Sequence, residues 1–462
     1  MPSMIFAIFR QRPWIIPFGL IVLLFFLVAT FAPIFAFGMP LIVYFEDKLY
    51  FPLFRYLLYK EVFSKPIDIF FNYWMLAWPM IALAWWQRSK ALRIFLHLTF
   101  FIGLLWVLGG GVRNPANRTE SSVLEEKVAH VTWKDQLAKM NGYARLRLVW
   151  MEYREMQTSL VMKPYLEASD VTPYDIEKAR RKDLVQNLKP EDPHRQYLID
   201  REAWIQHAFQ DLKWWIEPLV RNYFWEESTG IDQKLNRQLP WEMRARVNRK
   251  DLLSGIIYGS RISFVVGVLA VLMSLAIGIP LGAISAYFAG YCDVLFMRFI
   301  EIWEAFPTFF MLLFITSILQ SKSILLVVVV LGIFNWTGFA RFVRAEVLRQ
   351  KQLPYIDAAK SHGLSHTRIL FSQTVPNSIS PVLTLLPFAV MNAISSEAGL
   401  SFLGLGEEGS CSWGTLMDEG RISFPAESYL LWPPAGILSL VLISIAIIGD
   451  SIRDWLDPKL KE

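Results

Sequence analysis

The sequence predicts an all-α integral membrane protein with about eight transmembrane helices and a helical extracytoplasmic insertion. Of its 462 residues, 54% are hydrophobic and 19% are charged. A soluble chain with so many long apolar runs would have too little polar surface to face water. The apolar residues are also gathered into blocks of roughly 20 residues, which is the length that crosses a bilayer. In lipid each block must be helical, because a helix satisfies its own backbone hydrogen bonds.

Eight apolar blocks are the predicted spans. They cover residues 14–37, 69–86, 94–111, 262–287, 306–319, 324–339, 381–405 and 430–448. The first block is longer than the core of a signal peptide and lacks a clear small-residue cleavage site, so we interpret it as a retained anchor. The fifth block is short, and the apolar stretch that begins at Leu295 could extend it into a tilted helix.

The distribution of basic residues predicts the orientation. Lys and Arg collect in loops on the cytoplasmic side of a membrane. Both termini are cytoplasmic if that side holds Arg10, Arg12, Arg88, Lys90, Arg93, Arg341, Arg344, Arg349, Lys351, Lys360, Arg368, Lys459 and Lys461. Residues 37–68 conflict with this arrangement, because they are basic and yet must lie outside. Their acidic and aromatic residues favour an amphipathic segment on the membrane surface.

Residues 112–250 differ from the rest of the chain in being heavily charged. Thr172 and Pro173 followed by Asp175 are typical of a helix start, and Asp192 begins a second helix that Pro218 would end. We therefore predict three regions. Residues 1–111 hold three spans, residues 112–250 form a helical extracytoplasmic domain, and residues 251–462 hold five spans.

Several classes of site are absent from the sequence pattern. The net charge of +5 is explained by cytoplasmic loops, and no basic patch indicates nucleic acid. Cys292 and Cys411 lie beside different spans, which argues against a disulfide, and the histidines lack metal-ligand spacing. No catalytic constellation is present. No G-x-x-x-x-G-K-[ST] loop occurs, so any ATPase must be a separate chain.

The loop of residues 341–380 is the most informative segment. Residues 355–361 favour a helix, Gly363 breaks it, and Ser365 caps a second helix that runs to about Thr374. Ala358 is small enough to let another surface approach closely. Five apolar residues are available to a partner or to the membrane face, namely Ile356, Ala359, Leu364, Ile369 and Leu370. From the residues alone, a docking element and a plain connection between two spans are equally compatible with this pattern.

The same loop resembles the EAA loop of bacterial ABC importer permeases through Asp357-Ala358-Ala359, Gly363 and Pro376-Asn377. The resemblance extends from about residue 249 to the C-terminus. Its most specific part is 397–406 followed by Trp413-Gly414, and its other parts are 250–263, Ala305-Phe306-Pro307, Trp336, Ala340-Arg341, Arg344 and 449–458. These features are similar to the "C"-type subunit of the oligopeptide/dipeptide permeases. Asp357 and Gln373 depart from the Glu and His that are usual there, but neither departure removes the helix.

The resemblance implies an ABC importer type I permease core in residues 251–462. It also implies that the loop binds an ATPase through Tyr355, Asp357, Ala358, Ala359, Gly363, Leu364, Ile369, Pro376 and Asn377. The expected partners are a homologous permease, two ATP-binding subunits or domains, an extracytoplasmic solute-binding protein and the lipid bilayer. ATP is used by the partner subunits, and the chain itself is expected to bind no cofactor or metal. The expected location is the bacterial cytoplasmic (inner) membrane.

Polar residues inside the spans have two interpretations. Charged groups are costly in a bilayer and should face other helices or a cavity. Arg298 and Glu301 are spaced to pair on one helix face. Four residues of the seventh span could line a pathway or could hydrogen-bond between helices, namely Asn392, Ser395, Ser396 and Glu397.

Two other classes of function are alternatives. A secondary transporter usually shows internal repeats or broken helices at the membrane midplane, and the sequence has no clear repeat. A membrane scaffold would use residues 112–250 for binding and would need no pathway. Peptides are the commonest substrates in the resembling class, although nickel and other small solutes use similar permeases.

Overall fold

The structure, a computed structural model, describes residues 13–60, 62–63, 65–86, 89–112, 132–165, 172–220, 244, 251–319, 322–407, 409–425 and 427–456. The described residues belong to two compact units, Val28–Tyr258 and the pair Met1–Leu27 with Gly259–Glu462. The predicted division into three regions stays a prediction. Several residues named above lie outside the described ranges, namely Arg10, Arg12, Arg88, Lys459, Lys461 and the segments 113–131 and 457–462.

The N-terminal span begins with a 3₁₀ turn at Pro13–Ile15 and continues as helix α1, Ile16–Thr30. A short helix α2, Ala32–Phe35, follows after a break at Phe31. The predicted block 14–37 is therefore not one continuous helix. Pro33 accounts for the break, because proline has no N–H to continue the ladder and its ring clashes with the preceding turn.

A β-hairpin occupies part of residues 37–68, and the predicted place of this segment on the membrane surface stays a prediction. Strand β1, Ile42–Phe45, pairs antiparallel with β2, Lys48–Tyr50, and a short helix α3, Pro52–Tyr56, follows. Glu46 and Asp47 have φ values of 46° and 56° in the connecting turn. Positive φ at both central residues is the geometry of a two-residue type I′ hairpin.

Two long helices then form an antiparallel hairpin. They are α4, Pro66–Trp86, and α5, Lys90–Leu108, and both are apolar and long enough to cross a membrane. The Tyr73 hydroxyl donates to the carbonyl of Phe100 at 3.0 Å. A side chain at Gly103 would collide with that hydroxyl, so glycine permits the close approach of the two helices.

The insertion is mainly helical, as predicted. Its described helices are α6, Trp133–Lys139; α7, Gly142–Met162; α8, Pro173–Asn187; and α9, Pro193–Ala208. The predicted starts of α8 and α9 are confirmed, because Thr172 and Asp192 accept backbone N–H groups at 3.2 and 2.8 Å. The predicted end at Pro218 is wrong. The chain leaves α9 after Ala208 and forms strand β3, Trp214–Ile216.

Strand β1 is the central strand of a sheet that joins residues 37–68 to the insertion. It pairs with β2 on one side and with β3 on the other, with Val43 opposite both Tyr50 and Trp215. Val43 and Phe45 are fully buried against Leu146 and Val149 of α7. Strands of one sheet lie on the same side of a membrane. Residues 37–68 and the insertion therefore share one side, which agrees with the two spans α4 and α5 between them.

The second unit is built from five consecutive helices and a C-terminal group. The five are α10, Leu252–Phe288; α11, Gly290–Glu304; α12, Thr308–Leu319; α13, Ile324–Phe334; and α14, Trp336–Gln350. Helices α11 and α12 are bent by 67° at the break between them. The idea that the stretch from Leu295 extends the fifth span as one tilted helix is therefore wrong, and Pro307 supplies the reason.

The C-terminal group contains six helices. They are α15, Pro354–Ser361; α16, His366–Ile369; α17, Val375–Val382; α18, Leu386–Leu400; α19, Trp413–Ile422; and α20, Trp432–Leu456. π-helical turns at Leu370–Thr374 and Ser401–Leu405 extend α16 and α18. Within the described residues seven helices are suited to cross a membrane, or up to eight if the bent pair is one span. This confirms the predicted number.

Three helices of the insertion meet at one carboxylate. Glu152 of α7 is 10% exposed, and its Oε1 atom lies 2.6 Å from an Arg181 nitrogen and 3.0 Å from an Arg201 nitrogen. Burial by itself would lower the pKa of Arg181, but the charge and hydrogen bond of Glu152 raise it. The ion triad therefore ties α7 to α8 and α9.

The first prediction concerns this triad. Glu152→Gln removes the carboxylate that Arg181 and Arg201 share, leaves Arg181 with Glu177 at 3.3 Å, and should lower the free energy of unfolding by about 3 kcal/mol. Thermal unfolding of the solubilised chain, followed by tryptophan fluorescence, measures the loss. Asp47→Asn is the control, because its ion pair with Lys213 is exposed and should contribute little. Equal melting of both variants and the unsubstituted chain would contradict the prediction.

The second prediction concerns sidedness. In a chain with Cys292→Ser and Cys411→Ser, single cysteines replacing Lys48 or Lys182 should both react with a membrane-impermeant thiol reagent in intact spheroplasts. Both positions are exposed, and the shared sheet places their segments on one side. A cysteine replacing Lys90, at the start of α5, should react only after the membrane is opened. Labelling of Lys48→Cys and Lys182→Cys from opposite sides would exclude this topology.

Candidate functional site

The segment that follows α14 forms the candidate docking loop, residues 351–382. Helix α15 begins at Pro354, which supplies a preset φ and needs no N–H partner, and Asp357 lies in its first turn. The Tyr355 hydroxyl is 2.9 Å from Oε1 of Gln350, to which it donates. This hydrogen bond holds the start of α15 to the end of α14.

Gly363 ends α15 in the way that the sequence predicted. Its φ is +73°, its N–H donates to Lys360 O at 2.9 Å, and the N–H of Leu364 donates to Ala359 O at 3.3 Å. This pair of bonds is a Schellman motif, which favours glycine because other L-residues are strained at positive φ. Ser365 then caps α16 by accepting the N–H of Arg368. Helical structure continues through the π turn to Val382, beyond the predicted end at Thr374.

Three apolar residues of the loop face inward, whereas Phe371 is exposed. Ile356 and Ile369 are 0% exposed and Leu370 is 2% exposed, in a core with Tyr287 of α10 and Val343 and Val347 of α14. The prediction that these three are available to a partner or to the membrane face is therefore wrong. Their burial stabilises the loop by removing apolar surface from water. Ala359 and Leu364 are half-buried at the edge of the same core.

The outer face of the loop that contains α15 carries mainly polar and small residues. It exposes Asp357, Ala358, Lys360, Ser361, His362 and Gly363, followed by Pro376 and Asn377 further along. Asp357 and Lys360 form an ion pair at 2.9 Å, and Asn377 Nδ2 donates to Gln373 O at 2.8 Å. Ala358 carries a single methyl group in the middle of this face, so a second surface could contact the backbone of α15 closely.

Polar contacts fasten the loop to α10. The Tyr287 hydroxyl and His366 Nδ1 are 3.0 Å apart, and Lys351 Nζ donates to Tyr287 O at 2.5 Å. The lysine also lies 5.6 Å from the centre of the Tyr287 ring. Sequence reasoning missed this link. The residues are far apart in sequence and no local pattern joins them.

Ion pairs join α11 to α14. Arg344 donates to both carboxylate oxygens of Asp293, at 2.5 and 2.6 Å, and Arg341 lies 2.5 Å from Glu304. The predicted pair between Arg298 and Glu301 is confirmed at 2.6 Å, and both of its side chains are exposed. The bidentate Asp293–Arg344 pair fixes geometry as well as charge.

Glu397 packs between helices. It is 2% exposed, and Ser401 Oγ donates to its Oε1 atom at 2.7 Å. A Cβ atom at Gly414 would lie 2.5 Å from Ala398 O, so glycine lets α19 press against α18 beside this carboxylate. The burial of Glu397 favours the helix-packing interpretation, and the choice between the two stays a prediction. Asn392 and Ser395 are exposed on another face of α18, and Ser396 is half-buried.

A cavity of about 440 Å³ lies within the second unit. Asn392 is part of its lining, whereas Ser395, Ser396 and Glu397 are not. Two lining residues that sequence reasoning did not single out, Asn335 and Trp303, lie at helix breaks. Asn335 interrupts an apolar run, and that interruption is the sequence signal that could have identified it.

Comparisons with known proteins agree on one family. A family profile described as "Binding-protein-dependent transport system inner membrane component" matches residues 278–462, which include the docking loop. The oligopeptide transport system permease protein OppC of Haemophilus influenzae is 39% identical over 212 residues, covering 46% of this chain and 68% of that protein. The chain belongs to this family.

Two further relatives of this permease show how far the similarity extends. The inner membrane ABC transporter permease protein YejE of Escherichia coli is 30% identical over 271 residues, covering 56% of this chain and 76% of that protein. The peptidoglycan transport system permease protein YejE of Agrobacterium fabrum is 36% identical over 211 residues, covering 46% of this chain. The match spans 55% of that relative's length. The permease is thus a multi-pass membrane protein of a transport family.

The third prediction concerns the turn at Gly363. Gly363→Val should destabilise the turn by about 1–2 kcal/mol, because positive φ is unfavourable for L-residues. No atom lies within 4 Å of a Cβ atom built there, so the effect is conformational and not steric. Trypsin should cut the solubilised permease faster after Lys360 and Arg368. Gly363→Asn is the control, since asparagine tolerates this conformation. Cleavage of the Val variant at the unsubstituted rate would show that the turn is not needed.

Proposed function

We propose that this chain is a transmembrane permease subunit of an ATP-driven importer of oligopeptides or dipeptides. Family membership is the observation that carries the proposal. The docking loop supports it, because its buried residues pack against α10 and α14 while its outer face exposes polar residues. The relatives named above include permeases of oligopeptide and peptidoglycan transport systems, which supports a peptide-containing substrate. The sequence contains no phosphate-binding loop, so the energy source is a separate chain.

The proposed assembly contains two permeases, two ATP-binding subunits or domains and an extracytoplasmic solute-binding protein. The docking loop and both termini face the cytoplasm, and the insertion with its three-stranded sheet faces the other side. The basic residues beside the loop favour this orientation. The insertion precedes α10, and we propose that it contacts the solute-binding protein or shapes the outer mouth of the pathway.

Coupling in this proposal runs from the loop into the spans. An ATP-binding subunit that closes on ATP presses on the exposed face of α15. Ile356 and Ile369 transfer the displacement to α10 and α14, because all of them share one packed core. A packed core moves as a body and does not deform gradually. The ion pairs of Arg341 and Arg344 extend the movement to α11.

The fourth prediction tests the docking face. Ala358→Arg should abolish co-purification of the ATP-binding subunits and ATP-driven uptake of a labelled tripeptide in proteoliposomes, while the permease still inserts. The substitution places a long charged side chain where a partner must contact the helix closely. Ala179→Arg is the matched control, because it adds the same side chain to an exposed position of α8. Undiminished co-purification and uptake with Ala358→Arg would defeat the docking proposal.

A further inference from the structure

The cavity in the second unit lies where two helices are interrupted. The break between α11 and α12 contributes Phe306 and Pro307 to its lining, and the break between α13 and α14 contributes Asn335. Its volume of about 440 Å³ falls within the roughly 300–1,000 Å³ that small-molecule sites occupy. Interrupted helices are tolerated at membrane depth where the freed backbone lines a cavity or is buried in protein.

The cavity lining holds unused hydrogen-bonding groups. Among the described residues, nothing hydrogen-bonds to the side chains of Asn335 or Asn392. The indole N–H of Trp303 is buried and also has no partner in the described part of the chain. The side chain of Asn392 is exposed and that of Asn335 is half-buried, so both amides are open to a ligand, and the indole N–H lacks the partner that a buried polar group normally has. The lining is therefore complementary to a ligand that both donates and accepts hydrogen bonds.

The electrostatics of the lining favour a neutral ligand. Glu304 is the one charged side chain among the described lining residues, and its carboxylate is neutralised by Arg341 at 2.5 Å. The lining also contains the aromatic residues Phe306, Phe334 and Phe388. Apolar walls with a few neutral polar groups are suited to peptide bonds that carry varied side chains. A lipid chain would leave both amides unpaired.

We propose that this cavity holds a stretch of substrate peptide backbone during passage, with Asn335 and Asn392 bound to peptide N–H and C=O groups. A carboxamide donates and accepts, which matches both groups of a peptide bond. Recognition of the backbone leaves side-chain identity free. The inference rests on the proposed function and extends it to a site within a single permease chain. Helix α14 links the site to the docking loop, because Asn335 precedes its first residue and Val347 lies near its end.

The experiment uses the complete transporter in proteoliposomes, with ATP-driven uptake of radiolabelled trialanine and basal ATP hydrolysis as readouts. Asn335→Leu and Asn392→Leu keep the side-chain size and remove the amide. Each should lower the trialanine imported per ATP about tenfold, with basal hydrolysis within about twofold of the unsubstituted transporter. Ser395→Leu is the matched control, because Ser395 is exposed one turn from Asn392 and does not line the cavity.

A second measurement locates the peptide. A tripeptide with a central benzoylphenylalanine, photolysed during turnover, should label residues of the cavity lining, and Asn392→Leu should abolish that labelling. Unchanged uptake in both asparagine variants, labelling confined to other segments, or a phospholipid recovered in the cavity would each overturn the inference. If the unsubstituted transporter imports trialanine normally in those cases, only this inference fails. Absence of ATP-driven import by the unsubstituted transporter would defeat the proposed function as well.

Discussion

Peptide groups in a hydrocarbon environment have no water with which to form hydrogen bonds, and this constraint accounts for where the chain is regular. The helices α4, α5 and α20 run without interruption over their apolar stretches. Strand pairing among the described residues is confined to the segments beside and within the insertion, where water can solvate the sheet edges. The breaks at Pro307 and Asn335 are exceptions, and both residues line one cavity, whose mainly apolar walls carry a few polar groups.

The docking loop separates its stabilising residues from its exposed ones. Ile356 and Ile369 are buried in a core with α10 and α14, so the loop holds its shape on its own spans. Asp357, Ala358 and Lys360 remain outside and leave a polar face with a small residue at its centre. The exposed residues take no part in this core. Substitutions on the outer face can therefore change what it binds without destabilising the buried residues that hold the loop to α10 and α14. The Tyr287–His366 contact adds a directional link that apolar packing lacks.

The sheet of the first unit makes the hairpin β1–β2 part of the insertion. Tyr44 stacks on Trp214, and Arg145 of α7 pairs with Glu46 in the hairpin turn at 2.7 Å. Trp150 donates its indole N–H to Gly38 O at 2.9 Å. These contacts close a loop in the chain that contains both α4 and α5. The ends of this helical hairpin are therefore held by the folded domain, in addition to the packing between the two helices.

The sequence by itself determined the membrane class, the number of spans, the helix starts at Thr172 and Asp192, and the turn at Gly363. Each of these depends on local features, such as the length of an apolar block, a capping side chain or a residue that tolerates positive φ. Together with the family motifs, they were enough to locate the docking loop. Only the tertiary structure decided which side of the loop faces inward, because Ile356 and Ile369 have partners on α10 and α14. It also decided that residues 42–45 pair with Trp214–Ile216, since strands of three or four residues joined at Glu46 and Asp47 give no strong local signal. The cavity and the packing of Glu397 depend on contacts between helices that are distant in sequence. A local sequence pattern cannot predict which faces of such helices meet.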